Sequence, residues 1–145
     1  MDFLVKIRPA KKSDISKIHK IGKSTSVFEV SKELKFFTLN ELKEFLMRKD
    51  CIILIAEVQN KTAGFVIAFI MSHYWMYFDS VYVLPEFRHH RIASRLEKEL
   101  IKIAKKKKID YISTIVKPSH HVERKFFRKK GYKETSTFLW LGKSI

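Results

Sequence analysis

Ser80-Val81-Tyr82-Val83-Leu84-Pro85-Glu86-Phe87-Arg88-His89-His90-Arg91-Ile92-Ala93-Ser94 reads as an apolar strand, a tight basic turn and the start of an amphipathic helix. The first four N–H groups of an α-helix have no intrahelical acceptor, and that end of the helix carries a partial positive charge. The turn before Ile92 is therefore suited to an anion, with a diphosphate as the natural candidate. A solvated basic turn is the competing reading of the same residues.

The segment resembles the acyl-CoA-binding signature of the GNAT superfamily of N-acyltransferases, a strand ending near V-x-P followed by R/Q-x-x-G-x-G/A and a helix. The matching residues are Val83, Pro85, Arg88, Arg91, Ile92 and Ala93, with Ala93 at the second small position and Arg91 where the family has its first glycine. In a left-handed backbone an arginine there costs roughly 1 kcal/mol, while its guanidinium is a phosphate donor. A second run, Val116 to Tyr132, is similar without a gap to the family's later V-x-x-x-N-x-x-A-x-x-L-Y-x-x-x-G-F. His120 stands for the asparagine, Glu123 for the alanine, Phe127 for the tyrosine and Gly131-Tyr132 for Gly-Phe.

The resemblance implies an acetyl-CoA-dependent N-acetyltransferase, acting on a primary amine of a protein, peptide or small molecule by direct attack, with no covalent enzyme intermediate. It implies that the pantetheine arm lies along Val81, Tyr82 and Val83, using backbone groups freed where strands splay. The diphosphate is then expected on the amides of Arg88, His89, His90, Arg91, Ile92, Ala93 and Ser94. His120 takes the asparagine's part by hydrogen bonding the pantetheine or the departing sulfur, or else merely caps the helix that starts there. Phe127 replaces a tyrosine that serves the leaving thiolate and has no proton to give. A thiol with a pKa of about 8.5 already leaves tolerably, so its loss slows the reaction more than it abolishes it. Water, Tyr82 or Ser119 are the substitutes.

An alkyl amine has a pKa of about 10.4 and an α-amine one of about 8, so the acceptor must lose a proton before it attacks. Asp79 is the leading base candidate, on the expectation that it shares a strand face with Val81 and Val83 at period two. Glu29, in a lid-like loop, is the second, since some protein N-terminal acetyltransferases of the family carry a glutamate in the corresponding loop. An ordinary solvated carboxylate is the alternative for each.

The 145 residues suffice for one domain, 1–145, with a core that needs no staple. Cys51 is the single cysteine, which excludes an internal disulfide; at the head of Cys51-Ile52-Ile53-Leu54-Ile55-Ala56 it reads as a buried core residue in a reducing compartment. His19 and His73 are isolated and read as structural, and the histidines lack zinc-like partners, so no metal is expected. No run is apolar for long enough to cross a membrane, and the expected location is cytoplasmic.

Thirty Lys plus Arg against fifteen Asp plus Glu give a net charge of +15. This excess fits phosphate-rich CoA, an acidic or nucleic-acid partner, or a lysine-rich compositional habit. The run Lys105 to Lys108 suits the C-terminus of a helix, which makes nucleic acid the less favoured partner. Two further functions stay open: an acyl-CoA-binding sensor with weakened catalysis, and a basic nucleic-acid-binding protein. Both a monomer and a homodimer fit the sequence.

Phe3, Val5 and Ile7 alternate as in a half-buried strand starting from Met1-Asp2-Phe3. Ser13 is the expected N-cap of a helix carrying Ile15, Ile18 and Ile21 and stopped by Gly22. Thr38 with Glu41 forms a capping box ahead of a second helix, and residues 23–37 between the two are a loop or partly helical lid. Cys51–Val58, the turn Gln59-Asn60-Lys61-Thr62 and Ala63–Met71 form a hairpin, followed by a strand Met76–Val83. A helix from Ile92, a strand Asp110–Val116, a short helix Val122–Lys130 stopped by Gly131, and a final strand or pair over Tyr132–Leu141 complete the order. This predicts an α/β fold: a mixed, mainly antiparallel sheet with helices on both faces.

Overall fold

A computed structural model of the chain describes residues 3–145. Its strands are β1 (Val5–Pro9), β2 (Cys51–Val58), β3 (Lys61–Ile70), β4 (Trp75–Val83) and β5 (Tyr111–Ser113), and its helices are α1 (Ile15–Lys23), α2 (Leu39–Met47), α3 (Ile92–Lys106) and α4 (His121–Lys129). The strands form one sheet in the order β1-β2-β3-β4-β5, antiparallel except for the parallel pair β4–β5. Met1 and Asp2, where the first strand was expected to begin, lie outside the described residues.

Strands β2 and β3 are apolar at nearly every position because both faces of the sheet are covered. Ile52, Leu54, Ala56, Val66 and Ala68 pack under Ile92, Leu96, Leu100 and Ala104 of α3 and Phe127 of α4. On the other face Ile53, Ile55, Phe65 and Ile67 meet Ile15, Ile18 and Ile21 of α1 and Leu42 of α2. The hairpin closes on two residues, Gln59 (φ 50°) and Asn60 (φ 61°), tighter than the four-residue turn expected. Positive φ at both central positions matches the right-handed twist of the flanking strands. Cys51 is half-buried at the start of β2, not fully buried, and desolvation pushes its thiol up to about 12, so it stays protonated.

Several local expectations are corrected. Ser13 is exposed and does not cap α1. Asp14 holds the N-cap position, but its side chain caps no amide of α1: its carboxylate accepts the Lys11 N–H at 2.7 Å and both Arg8 Nη atoms at 2.7 and 2.9 Å. Gly22 is not a helix stop, since α1 runs on to Lys23; a Cβ at Gly22 would lie 2.1 Å from the Phe36 ring. This glycine is a seat for a ring of the lid. The capping box of α2 is present, with Glu41 N–H on Thr38 Oγ1 at 3.2 Å and Thr38 N–H on Glu41 Oε2 at 2.7 Å.

At the other end β5 is shorter than expected, and the final strand over Tyr132–Leu141 is absent. After Gly131, whose φ of +91° ends α4, the chain continues to Ile145 without regular structure. A strand needs a neighbour for its backbone groups, and here the segment meets none within its own protomer.

Candidate active site

The centre of the site is a register break in β4. Ile67 of β3 pairs with Ser80, while the next residue, Ala68, pairs with Phe78, leaving Asp79 as the extra residue of a β-bulge. The bulge reverses the strand's facing: Met76 and Phe78 before it, and Val81 and Val83 after it, all pack toward α3, although one pair is even-numbered and the other odd. Asp79 therefore does not share a face with Val81 and Val83 as period two predicts. It lies with Ser80 on the α1/α2 side, near Cys51 and Tyr77, and its charge helps to raise the Tyr77 hydroxyl, pushed mainly by burial up to about 12.

Ser80, which sequence reasoning missed, is buried and donates its hydroxyl to Asp79 Oδ2 at 2.5 Å. Burial raises the Asp79 carboxyl above the usual aspartate range, and the Ser80 hydrogen bond partly opposes that shift. The signal was present in the chain: two adjacent polar residues at the point where the apolar phase switches from even to odd positions.

The far edge of β4 opens at the same place. Strand β5 pairs with it only from Trp75↔Tyr111 to Tyr77↔Ser113, and at the next step the Thr114 hydroxyl donates to the Phe78 carbonyl at 2.7 Å in place of a backbone bond. From Asp79 to Val83 no strand pairs with β4 on that side. This is the splay in which backbone groups of Val81 and Tyr82 become available. The Val83 carbonyl is taken by Arg88, whose Nε donates to it at 3.0 Å while the guanidinium lies 5.4 Å from the Tyr82 ring centroid. Arg88 thereby braces the turn against the end of the strand.

The turn itself alternates in hand. His89 (φ 65°) and Arg91 (φ 59°, ψ 24°) are left-handed, whereas His90 and Ile92 are not. Such alternation is the backbone geometry that can turn successive N–H groups to one side, a shape suited to an anion at the start of α3. Arg91 thus occupies the conformation in which glycine is at ease, at a cost of roughly 1–2 kcal/mol. Its side chain is exposed and makes no ion pair among the described residues, as does that of His89. His90 instead packs on Phe3 at 4.3 Å between ring centroids, and Phe3 also meets Phe87 edge-on at 5.7 Å. Phe3 is a second contributor that the sequence did not single out. Ile92 is buried under the sheet, and Ala93 and Ser94 are half-buried in the first turn of α3.

The loop between α1 and α2 covers the opposite face of β3 and β4. Phe28 lies 5.9 Å from Tyr82 and 6.0 Å from Phe65, and Phe37 lies 6.1 Å from Phe69, so aromatic rings fasten the loop over the strands on either side of the bulge. Beneath it is a cavity of about 280 Å³ lined by His19, Lys23, Glu29, Lys35, Phe36 and neighbouring residues. Glu29 is half-buried in that lining, which does not include Asp79. The two base candidates therefore occupy separate positions, one at the bulge and one in the lid.

His120 precedes α4, and its side chain makes no capping hydrogen bond; its carbonyl accepts the Arg124 N–H at 3.0 Å. Phe127 is buried, edge-on to Phe78 at 5.5 Å and to Tyr132 at 5.1 Å. Its ring fills core volume directly behind the bulge. Ser119 is exposed, and the Tyr82 ring centroid lies 5.9 Å from that of Phe28 and 5.4 Å from the Arg88 guanidinium. Among the described residues no three His, Cys, Asp or Glu side chains converge as metal ligands would, and no helix is long and apolar enough to cross a membrane.

The family model described as "Acetyltransferase (GNAT) family" matches residues 19–132. The chain belongs to the GNAT acetyltransferase family. It is an acetyl-CoA-dependent N-acetyltransferase whose acceptor is an amine. No curated protein matches the chain in sequence. Among solved structures, the aminoglycoside N-acetyltransferase AAC(6')-Iy in complex with CoA is similar at a TM-score of 0.81 and 17% identity, covering 100% of this chain and 98% of that one. The aminoglycoside 6'-N-acetyltransferase AAC(6')-Ih from Acinetobacter baumannii gives 0.79 and 17%, over 97% and 99%. A transcriptional regulator from Bacillus halodurans gives 0.81 and 17%, over 95% and 99%. At these identities the likeness is one of fold, and it extends over at least 95% of each chain.

Proposed function

We propose that this acetyltransferase holds the CoA diphosphate on the left-handed turn His89–Arg91 and the first turn of α3, and that Asp79 is the base that takes the proton from the acceptor amine. The observation that carries this reading is the bulge at Asp79-Ser80. It sets a desolvated carboxylate beside the opened edge of β4, on the same strand that runs into the anion-binding turn. Amides of His89, His90, Arg91, Ile92, Ala93 and Ser94 face the phosphates and the Arg91 guanidinium adds charge, whereas the Arg88 amide, expected in this set, is already given to the Pro85 carbonyl at 3.2 Å. Backbone groups of Val81, Tyr82 and Val83 orient the pantetheine, with Arg88 released from the Val83 carbonyl when that group is needed.

The amine nitrogen bonds to the thioester carbonyl carbon, its proton passes to Asp79, and the C–S bond breaks. The thiolate is protonated by solvent, because Phe127 has no proton and is packed in the core. His120, exposed enough to turn toward the sulfur, is the hydrogen-bond donor on that side. Glu29 contributes to the acceptor cavity and not to proton removal, since it lies in the lid away from the bulge. The relatives named as aminoglycoside acetyltransferases support a small-molecule amine, but Lys23 and Lys35 outnumber Glu29 around the cavity, a balance that disfavours a polycation. The acceptor is therefore a primary amine on a neutral or acidic peptide or molecule. Thiol release from acetyl-CoA, measured over a panel of acidic, neutral and cationic amines with the parent protein and Asp79→Asn, tests the proposal. Equal turnover by the two proteins removes Asp79 from the mechanism, and a preference for polyamines overturns the acceptor class.

A further inference from the structure

The positive charge of the chain is unevenly placed. Residues 91–145 hold sixteen of the thirty Lys and Arg but only five of the fifteen Asp and Glu. Three of those five acids are already engaged: Glu97 is buried, Glu134 is bound to Arg124 at 2.9 Å, and Glu99 lies 3.6 Å from Lys102.

Helix α3 sets this charge in a line. Arg91 at its N-cap, then Arg95, Lys98, Lys102 and Lys105, follow at steps of four, three, four and three residues, and all five are exposed. At 3.6 residues per turn such steps keep the side chains within about 40° of one line, about 21 Å long, with a charge about every 5 Å. Lys102 alone of the five has an ion-pair partner among the described residues. Helix-end chemistry accounts for Lys105 to Lys108 but not for the rest. Arg91 and Arg95 stand at the N-terminal end, where a cation opposes the helix dipole and the first turn holds no acidic residue to offset it. Like charges three and four residues apart also repel one another along the whole ridge. The helix forms in spite of them because Ile92, Leu96, Leu100 and Ala104 are buried against the sheet. Folding does not call for this ridge.

Its composition says what it fits. A membrane-surface helix offers lipid an apolar face, and that of α3 is spent in the core. Protein interfaces centre on apolar and aromatic side chains and are poor in lysine, the commonest residue of this ridge. A regular line of point charges instead complements a phosphodiester backbone, where released counterions supply affinity without base contacts. Helix α4, on the same face of the sheet, adds the exposed Lys125 and Lys129, neither of them in an ion pair among the described residues.

We infer that the outer ridge of α3 from Arg95 to Lys105 is a docking surface for the phosphodiester backbone of a nucleic acid, bound without base readout. The lid side of the sheet, where the acceptor cavity lies, stays free. Neither the proposed base nor the acceptor class enters this inference, and Arg91, which belongs to the donor turn, is left out of its test.

Fluorescence anisotropy of labelled RNA and DNA duplexes of about 20 base pairs, titrated with the full chain between about 50 and 200 mM KCl, reads the contact. With four side chains on phosphates, log affinity is expected to fall with log salt at a slope of about −3 to −4, a loss of roughly 100-fold over that range. The combined variant Arg95→Gln, Lys98→Gln, Lys102→Gln and Lys105→Gln is expected to bind more weakly by about 10-fold or more at the lowest salt, with a flattened slope. Its thiol release from acetyl-CoA and its far-ultraviolet circular dichroism are expected to match the parent's. The control Lys12→Gln, Lys17→Gln, Lys20→Gln and Lys43→Gln removes the same charge from the α1/α2 side and is expected to bind within about 3-fold of the parent. Tighter binding of one duplex supports the inference and names RNA or DNA as the partner. No binding of either duplex at the lowest salt, or equal weakening in the two variants, overturns it. So does poly-glutamate that displaces the duplex as well as unlabelled nucleic acid of equal charge, since the ridge then serves an acidic protein.

Discussion

The Ser80 hydroxyl donates to the carboxylate of Asp79 at 2.5 Å, a contact between strand neighbours that exists because the bulge turns both side chains to the same face. In a regular strand successive side chains point to opposite faces. The bulge therefore both desolvates the carboxylate and supplies the hydroxyl that moderates its basicity.

A raised Asp79 pKa places the acid limb of kcat/KM above the range of an ordinary aspartate, with activity rising as pH increases through it. Asp79→Asn removes that limb and lowers turnover by roughly 10²–10⁴-fold, with CoA affinity nearly unchanged. Ser80→Ala removes the hydrogen bond that favours the ionised form, so the limb moves further up. pH–rate profiles of the three proteins check both statements, and a limb that stays put in Asp79→Asn assigns it to another group.

Arg91→Gly relieves a left-handed arginine and is expected to raise thermal stability by about 1 kcal/mol. The same change removes a phosphate donor and weakens CoA binding by roughly 10-fold or more, the loss of one charge-assisted hydrogen bond. Calorimetric titration together with a thermal melt separates the effects. Tighter CoA binding by the glycine variant shows that the arginine is only tolerated.

Gly22→Ala drives a methyl group into the Phe36 ring, which is itself held by Phe28 and Phe65 at 5.0 and 6.0 Å. Overpacking of this kind costs about 1–3 kcal/mol. The lid is expected to lift, raising KM for the acceptor more than for acetyl-CoA. Unchanged acceptor kinetics alongside an unchanged melting temperature would show that the ring has room to move.

Arg8 binds Asp14 and Glu57 together, with the Arg8 and Asp14 side chains only 14% and 10% exposed. Arg8 holds the Asp14 carboxyl below the usual carboxylate range, and the Lys11 N–H adds to the effect. A carboxylate with a lowered native pKa contributes stability that is present above its unfolded pKa of about 3.9 and is lost as pH falls through the native value. Asp14→Asn therefore costs most at neutral pH, about 3 kcal/mol for a nearly buried pair, and its stability gap to the parent narrows in acid. Urea melts from pH 7 down to the acid transition read this directly.

Much of the scaffold was legible because its signals are local. Thr38 with Glu41, the continuous apolar runs on either side of Gln59-Asn60 and the spacing of Ile92, Leu96 and Leu100 each state a cap, a hairpin or a helix face within a few residues. Other features escaped because they depend on residues far away in the chain. Gly22 looks like a helix stop until Phe36 is placed over it, and Ser13 looks like a cap until Arg8 and Lys11 converge on Asp14. Asp79 was singled out as the base, but its face was misjudged, since period two says nothing of an extra residue opposite β3.

Pattern and motif, read along the chain, establish the order of elements, the two-sided burial of β2 and β3 and the basic turn ahead of α3, since each rests on near-neighbour backbone geometry and hydrophobic periodicity. Only the folded sheet decides that Asp79 turns toward the lid side, that Arg88 is spent on the Val83 carbonyl, and that Thr135–Leu141 has no strand to join in its own protomer. Those outcomes depend on which backbone groups find partners across the sheet, and pairing between distant strands is a property of register that no local stretch encodes.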